Sequence, residues 1–274
     1  MSSTPLIKFA DVFLKREDLN PTGSAKDRAI SLQVDYLKSQ GFRAAVISST
    51  GNAAISALYY CQKNSINLTV FVSSNINPEK LKLIQAQTKN IVISAQPISD
   101  SFRYSRQNLS YLLRQSTDPI ALTGYQSIAK EIIKQLPQVS SVFIPVASGT
   151  TLLGISKSLP LNVKLFAVQP ASHAPIASIF DSNYQPENST ITDALSVKYL
   201  PLKQSVIAAI KSHQGSGLVV QNQAVVDAQN QFISQSINTS PESALALAGF
   251  YKAKKDSQYQ IGDYPVILLT GTAR

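Results

Sequence analysis

One lysine near the start of the chain, Lys26, stands where a predicted turn meets a predicted helix. Pro21, Gly23 and Ser24 are typical turn residues, and apolar side chains at helical spacing follow the lysine. A lysine amine beside the positive end of a helix dipole, in mostly apolar surroundings, gives up its proton more readily than one in water. Such an amine can form a Schiff base with a carbonyl compound. The residue types alone also allow an ordinary solvated lysine, so the rest of the chain has to decide.

A second segment carries side chains of the kind that bind anions. The 49–52 loop precedes a predicted helix and consists of Ser49, Thr50, Gly51 and Asn52. Backbone amides at a helix N-terminus attract anions, and the hydroxyl and amide groups add further hydrogen-bonding capacity. Asn52 is also a common helix cap, so capping stands beside ligand binding as an explanation.

A third segment, the 148–151 loop, has a composition that suits a phosphate group. Its members are Ser148, Gly149, Thr150 and Thr151. Backbone amides in a glycine-containing turn, together with three hydroxyl groups, can surround an anion. The loop is not a nucleoside-triphosphate loop, because Ile155 and Ser156 stand where that motif requires Lys and then Ser or Thr.

The elements that position these segments follow from the pattern of apolar residues. Short apolar runs predict buried strands at 44–48, 68–72, 91–94, 141–146, 163–168 and 265–269. Longer amphipathic runs predict helices at 53–63, 78–88, 101–115, 127–135, 224–235 and 243–254, and a further apolar helix begins at Leu152. This alternation is typical of an α/β protein with mostly parallel sheets between layers of helices. Ligands then bind beyond the carboxyl ends of the strands.

Taken together, the motifs resemble those of pyridoxal-phosphate enzymes of fold type II, the tryptophan-synthase-β type, and within that group those of the threonine synthases. The resemblance rests on Asn-Pro-Thr-Gly-Ser-Ala-Lys-Asp-Arg at 20–28, Ser-Ser-Thr-Gly-Asn-Ala-Ala at 48–54 and Thr-Gly at 270–271. Weaker matches lie at 124–129, 166–176 and 240–249. The resemblance implies two three-layer α/β domains around a central cofactor cleft. The larger would comprise residues 1–30 plus 127–274, and the smaller, mobile one residues 31–126.

The same resemblance implies a role for each motif residue. Lys26 would carry pyridoxal 5'-phosphate covalently and act as the catalytic acid and base. Asn52 would bind the phenolic oxygen of the cofactor, the 148–151 loop its phosphate, and Thr270 would face its ring nitrogen. Ser24, Thr50 and Gly51 would contact the substrate. The sequence departs from the family pattern where glycines are usual, at Ala147 and Thr150, and also at Ser240 and Thr272.

The implied activity is that of threonine synthase, a carbon-oxygen lyase that converts O-phosphohomoserine and water to threonine and phosphate. A serine or threonine deaminase stands beside it, because Lys-Arg-Glu-Asp-Leu at 15–19 also resembles that group. Asp27 after the lysine and alanines after Asn52 favour the synthase. A cysteine synthase-like enzyme is a third alternative, and a non-catalytic binding protein that keeps only the fold is a fourth.

Composition limits the other possibilities. Although the net charge is +9, the 25 basic residues are scattered, so we do not expect nucleic acid as a partner. A small amino-acid substrate is what the family resemblance implies. A single cysteine and two histidines argue against a metal site, and His173 and His213 are expected to be surface or loop residues. The lone cysteine and the lack of a long apolar run fit a cytoplasmic protein without membrane contact. The family resemblance implies a homodimer.

Overall fold

The computed structural model describes residues 1–76, 78–195, 197 and 199–273. The chain divides into two compact units. The smaller unit comprises Met1 and Lys26–Gly124, and the larger unit comprises Ser2–Ala25 and Tyr125–Arg274. The domain limits inferred from the sequence, after residues 30 and 126, stay a prediction.

Ten strands and nine helices are found among the described residues. The strands are β1 (Leu6–Phe9), β2 (Val12–Arg16), β3 (Ala44–Ser48), β4 (Asn67–Ser73), β5 (Ile91–Ser94), β6 (Tyr111–Leu112), β7 (Ser141–Pro145), β8 (Lys164–Pro170), β9 (Ser216–Val220) and β10 (Pro265–Leu269). The helices are α1 (Lys26–Ser39), α2 (Asn52–Lys63), α3 (Pro78–Gln85), α4 (Pro97–Gln107), α5 (Pro119–Gln135), α6 (Thr150–Ser156), α7 (Lys203–Ser212), α8 (Asn222–Ser234) and α9 (Pro241–Lys254).

The larger unit is built on a six-stranded sheet in the order β1-β2-β10-β7-β8-β9. β1 runs antiparallel to β2, and the other neighbouring strands are parallel. Helix α9 packs on this sheet and is apolar on nearly all sides, as expected of a fully buried helix. Aromatic side chains fill the space between them, with the rings of Phe143 and Phe166 stacked 4.5 Å apart and Phe250 edge-on to Phe143.

The smaller unit is built on a four-stranded parallel sheet in the order β5-β4-β3-β6. Helices α1 and α2 contact each other, and α1 presents Ile30, Val34 and Leu37 to a core shared with β3 and β4. Helix α5 begins in this unit, and its Gly124 lies against the backbone of α1. A Cβ atom at Gly124 would come within 2.2 Å of the Arg28 carbonyl oxygen, so this close approach requires glycine.

These units confirm the predicted α/β class with mostly parallel sheets. Three predicted strands, 44–48, 91–94 and 265–269, have the observed bounds. The helix predicted at 101–115 is wrong at both ends, because α4 begins at Pro97 and ends at Gln107. Leu109 has a left-handed φ of 49°, which no continuing helix allows, and residues 111–112 form strand β6 instead. Helix α6 begins at Thr150, two residues before the predicted start.

Several elements of the larger unit were not predicted, because their sequence patterns are weak. Strand β9 begins beside two glycines, and Cβ atoms at Gly215 and Gly217 would collide with the backbone of Leu165 and of Ala177. These glycines therefore serve close packing and not a turn, which hides the strand. Helix α7 was also missed. No helix in the described part of the chain is long and apolar enough to cross a membrane.

Candidate functional site

The segment before Lys26 pairs with the segment after the last strand, so two motifs from opposite ends of the sequence meet in the larger unit. Ser24 and Gly271 form an antiparallel bridge. The amide of Ala25 donates to the carbonyl oxygen of Thr270 over 3.0 Å, and the amide of Thr272 donates to the carbonyl oxygen of Gly23 over 2.9 Å. The structure thereby brings together two of the predicted site residues, Ser24 and Thr270.

Hydroxyl groups at the start of α9 hold the segment after β10 in place. The Ser243 hydroxyl accepts the Thr270 amide over 3.1 Å, and the Thr239 hydroxyl donates to the carbonyl oxygen of Gly271 over 2.8 Å. The Thr270 side chain is half-buried and makes no hydrogen bond with the described residues, so its hydroxyl is available to a ligand. The sequence reading missed Thr239 and Ser243. The sequence signal for them is that they are polar residues just before and in the first turn of a helix that is otherwise mostly apolar.

The 148–151 loop, also in the larger unit, has the conformation that its glycine predicts. Gly149 is buried, has a left-handed φ of 85° and directly precedes α6. The hydroxyl groups of Ser148 and Thr150 are hydrogen-bonded to each other over 2.9 Å. The first turn of α6 contains no acidic residue that would repel an anion. These groups fit a phosphate.

In the smaller unit, Asn52 is not the cap of α2. The capping position belongs to Gly51, which has no side chain, and the Ser49 hydroxyl accepts the Gly51 amide over 3.3 Å. Asn52 is the first helical residue, is half-buried, and its side chain makes no hydrogen bond with the described residues. Thr50 is half-buried in the same loop. The structure therefore removes capping as the explanation for Asn52 and leaves its amide free to bind a ligand.

Lys26 is the first residue of α1 in the smaller unit and is half-buried. The next residue, Asp27, is fully buried and accepts a hydrogen bond from the Ser56 hydroxyl over 2.6 Å. Ser56 lies on α2, so this bond ties the helix that begins with Lys26 to the helix that begins with Asn52. An acidic residue in the first turn also suits the dipole of α1.

The surroundings of the two histidines and of the cysteine indicate structural roles for these residues. His213 is 2% exposed, and its two ring nitrogens lie 3.0 Å from the Val163 carbonyl oxygen and 3.2 Å from that of Ser156. His213 therefore lies in a loop, the turn between α7 and β9, but it is buried there and not at the surface, and it joins two segments through their backbones. His173 lies half-buried in the loop after β8. Burial raises the pKa of the Cys61 thiol to about 12, which leaves it protonated and unreactive near neutral pH.

Among the described residues, no group of three or more His, Cys, Asp or Glu side chains is arranged to hold a metal ion. The chain does match the family model "Pyridoxal-phosphate dependent enzyme" over residues 2–271. It belongs to the pyridoxal-phosphate-dependent enzymes. Its cofactor is therefore pyridoxal 5'-phosphate. In the larger unit, the hydroxyl groups and the glycine turn of the 148–151 loop have the chemistry that a phosphate group requires.

Individual relatives within this family carry different names. The chain is 26% identical to the threonine synthase of Mycobacterium bovis over 279 residues, covering 95% of this chain and 76% of that protein. It is 23% identical to a catabolic L-threonine dehydratase of Staphylococcus aureus, covering 98% and 83%. The structure of maize serine racemase superposes with a TM-score of 0.86 at 18% identity, covering 99% of this chain and 88% of that one. This last likeness supports the fold, fold type II, and nothing finer.

Proposed function

We propose that this pyridoxal-phosphate-dependent enzyme is a threonine synthase, which converts O-phosphohomoserine and water to threonine and phosphate. The observation that carries the proposal is the pairing of the 23–25 turn with residues 270–272. It unites the lysine motif and the Thr-Gly motif, the two segments most similar to those of the synthases, through backbone hydrogen bonds. The similarity to a named threonine synthase over 95% of the chain supports the same assignment.

In the smaller unit, we assign covalent attachment of the cofactor to the Lys26 amine. This amine belongs to the first residue of α1 and is half-buried. Asn52 would donate its side-chain amide to the phenolic oxygen of the cofactor. Thr50 and the amide of Gly51 would bind the substrate carboxylate, in a first turn of α2 that contains no acidic residue.

In the larger unit, we assign the cofactor phosphate to the 148–151 loop and the ring nitrogen to Thr270. Ser24 would contact the substrate beside Thr270, since the two residues lie on paired segments. A threonine hydroxyl is not acidic enough to keep a ring nitrogen protonated as a carboxylate would. Thr270 would therefore give the ring nitrogen a neutral partner, which would limit side reactions at the substrate's α-carbon.

The bound cofactor supplies the electron-withdrawing system that acidifies hydrogens near the substrate's α-carbon. Lys26 would accept and return protons at the substrate carbons, because a freed amine at that position can serve as both general base and general acid. In the overall reaction the γ-carbon–oxygen bond breaks, phosphate leaves, and a water molecule supplies the hydroxyl group on the β-carbon and a proton.

A serine or threonine deaminase is the second candidate, favoured by the similarity to the Staphylococcus aureus dehydratase. Its reaction also begins with proton removal next to the amino group, but it ends in ammonia and a keto acid. Asp27, which ties α1 to α2 through Ser56, is a synthase-like feature that weighs against it. Product analysis separates the two activities.

The test is a substrate panel with the purified holoenzyme. O-Phosphohomoserine should give phosphate and threonine, whereas serine and threonine should release no more ammonia than the buffer control. Ammonia and a keto acid from serine or threonine, without threonine formation from O-phosphohomoserine, would identify a deaminase. No turnover of any of these substrates, with the cofactor bound, would support the non-catalytic alternative. The Lys26→Ala variant serves as the control for cofactor-independent turnover.

A further inference from the structure

A buried glutamine on β8 joins two loops at the carboxyl end of the larger sheet. Gln169 is fully buried, although it follows an apolar run, 165–168, in its strand. Its side-chain nitrogen donates to the carbonyl oxygen of Val146 over 3.1 Å. Its side-chain oxygen accepts the amides of Ile176 and Ala177, each over 2.8 Å. A backbone carbonyl oxygen can only accept a hydrogen bond, and a backbone N–H group can only donate one. These partners therefore fix the orientation of the side-chain amide group of Gln169.

The position of Val146 connects this arrangement to the 148–151 loop. Val146 directly follows β7, and Ala147 is the only residue between it and the 148–151 loop. The amide of Val146 donates to Val168 on β8, while its carbonyl oxygen accepts from Gln169. The backbone N–H and C=O groups of Val146 are therefore both hydrogen-bonded to the neighbouring strand, β8.

At its other end, Gln169 fixes the turn that leads into a short 3-10 helix, Ala177–Ile179. This turn packs against β9, where a Cβ atom at Gly217 would come within 2.5 Å of the Cα atom of Ala177. The turn therefore cannot move toward the sheet, and it serves as a fixed support. Through Gln169, the backbone before the 148–151 loop is held against that support.

We propose that Gln169 is a positioning residue for cofactor binding: it sets the geometry of the 148–151 loop and thereby the affinity for the phosphate group of pyridoxal phosphate. The inference rests on the assignment of the phosphate to this loop. Gln169 does not touch the cofactor. It acts by keeping the backbone at Val146 in one position, so that the amides and hydroxyl groups beyond it are preorganised for an anion.

The test compares two ligands that differ only in the phosphate group. Apoprotein of the full chain is titrated with pyridoxal 5'-phosphate and with pyridoxal, and binding is followed by absorbance. The Gln169→Met variant keeps the length and packing of the side chain but loses all three hydrogen bonds. We expect its dissociation constant for pyridoxal phosphate to rise about tenfold or more. Its dissociation constant for pyridoxal should stay within about twofold of the wild type, because the phosphate loop does not contribute to that affinity.

A second variant covers the case in which Gln169→Met does not fold. Gln169→Asn keeps an amide but is one methylene shorter, so it cannot reach both loops, and the same selective loss is expected. Ser141→Ala is the matched control. Ser141 is a buried polar residue at the other end of β7, bonded to the Ile261 carbonyl oxygen, and its loss should change neither affinity.

Equal weakening of both ligands, or no weakening of either, would overturn the role of Gln169. The Gly149→Asp variant distinguishes this outcome from an error in the loop assignment. If Gly149→Asp selectively weakens pyridoxal phosphate and the Gln169 variants do not, the loop binds phosphate without help from Gln169. If Gly149→Asp also leaves pyridoxal phosphate unaffected, the loop assignment itself is wrong, and the inference about Gln169 is wrong with it.

Discussion

Replacement of Gly149 by alanine should destabilise the larger unit by two separate effects. The residue has a left-handed φ of 85°, which costs an L-residue about 1–2 kcal/mol. An added Cβ atom would also lie 2.4 Å from Cγ2 of Val206, a fully buried residue on α7, and such overpacking costs about 1–3 kcal/mol. We therefore expect the free energy of unfolding to fall by roughly 2–5 kcal/mol in Gly149→Ala.

Two further single variants and one double variant separate these effects. Gly41 has a similar φ of 81° but no heavy atom within 4 Å of an added Cβ, so Gly41→Ala should cost only the backbone strain, about 1–2 kcal/mol. Val206→Ala removes the colliding atom at its own cost of about 2 kcal/mol. The double variant Gly149→Ala with Val206→Ala should then be more stable than the sum of the single effects by about 1–3 kcal/mol.

The assay is equilibrium unfolding in urea of all four variants and the wild-type protein, at a fixed concentration of pyridoxal phosphate. Fixing the cofactor matters because a ligand that binds only the folded state adds to the measured stability. A Gly149→Ala variant as stable as the wild type would refute the reasoning. Strict additivity of Gly149→Ala and Val206→Ala would show that the two residues do not collide, and the close approach would then not be the reason for glycine at this position.

Three other predictions concern single residues. Borohydride reduction of the holoenzyme, followed by peptide mapping, should place a pyridoxyl group on Lys26, and label on another lysine would overturn that assignment. Ser243→Ala leaves the partly buried amide of Thr270 without its acceptor, which should lower the free energy of unfolding by about 1 kcal/mol and shift the absorbance of the bound cofactor. An unchanged spectrum would argue against Thr270 at the ring nitrogen. Cys61 should resist iodoacetamide in the native protein at pH 8, and rapid alkylation would contradict its burial. Because folding raises the pKa of this thiol from 9.0 to about 12, its contribution to stability is full below pH 9 and is lost as pH rises toward 12, which urea unfolding at several pH values can follow.

The sequence predicted those parts of the fold that depend on local pattern. Strand β3 has the predicted bounds because a short apolar run ends directly at the polar 49–52 loop. Helix α4 was misplaced because its end depends on the left-handed backbone of Leu109, a residue type that gives no turn signal. Strand β9 was missed because its glycines serve close contacts with segments far away in the sequence, which only the folded chain reveals.

The candidate site shows the same division. The glycine-containing turn at Gly149 could be predicted from residue types, and the structure adds that the backbone there is left-handed. The supports of the site could not be predicted, because their partners are backbone groups. Gln169 bonds Val146 at a separation of 23 residues, and Ser243 bonds Thr270 at a separation of 27. A backbone acceptor leaves no mark in the sequence, so a buried polar residue in an apolar run is the only local sign of such a bond.

The most direct test of the proposed threonine synthase activity is the stoichiometry of a single reaction. O-Phosphohomoserine is incubated with the holoenzyme, and phosphorus and proton NMR follow phosphate release and the organic product in the same tube. The account predicts one threonine for each phosphate released, and no reaction with the Lys26→Ala variant. Phosphate release accompanied by ammonia and a keto acid, or the absence of phosphate release from a fully cofactor-loaded enzyme, would contradict it.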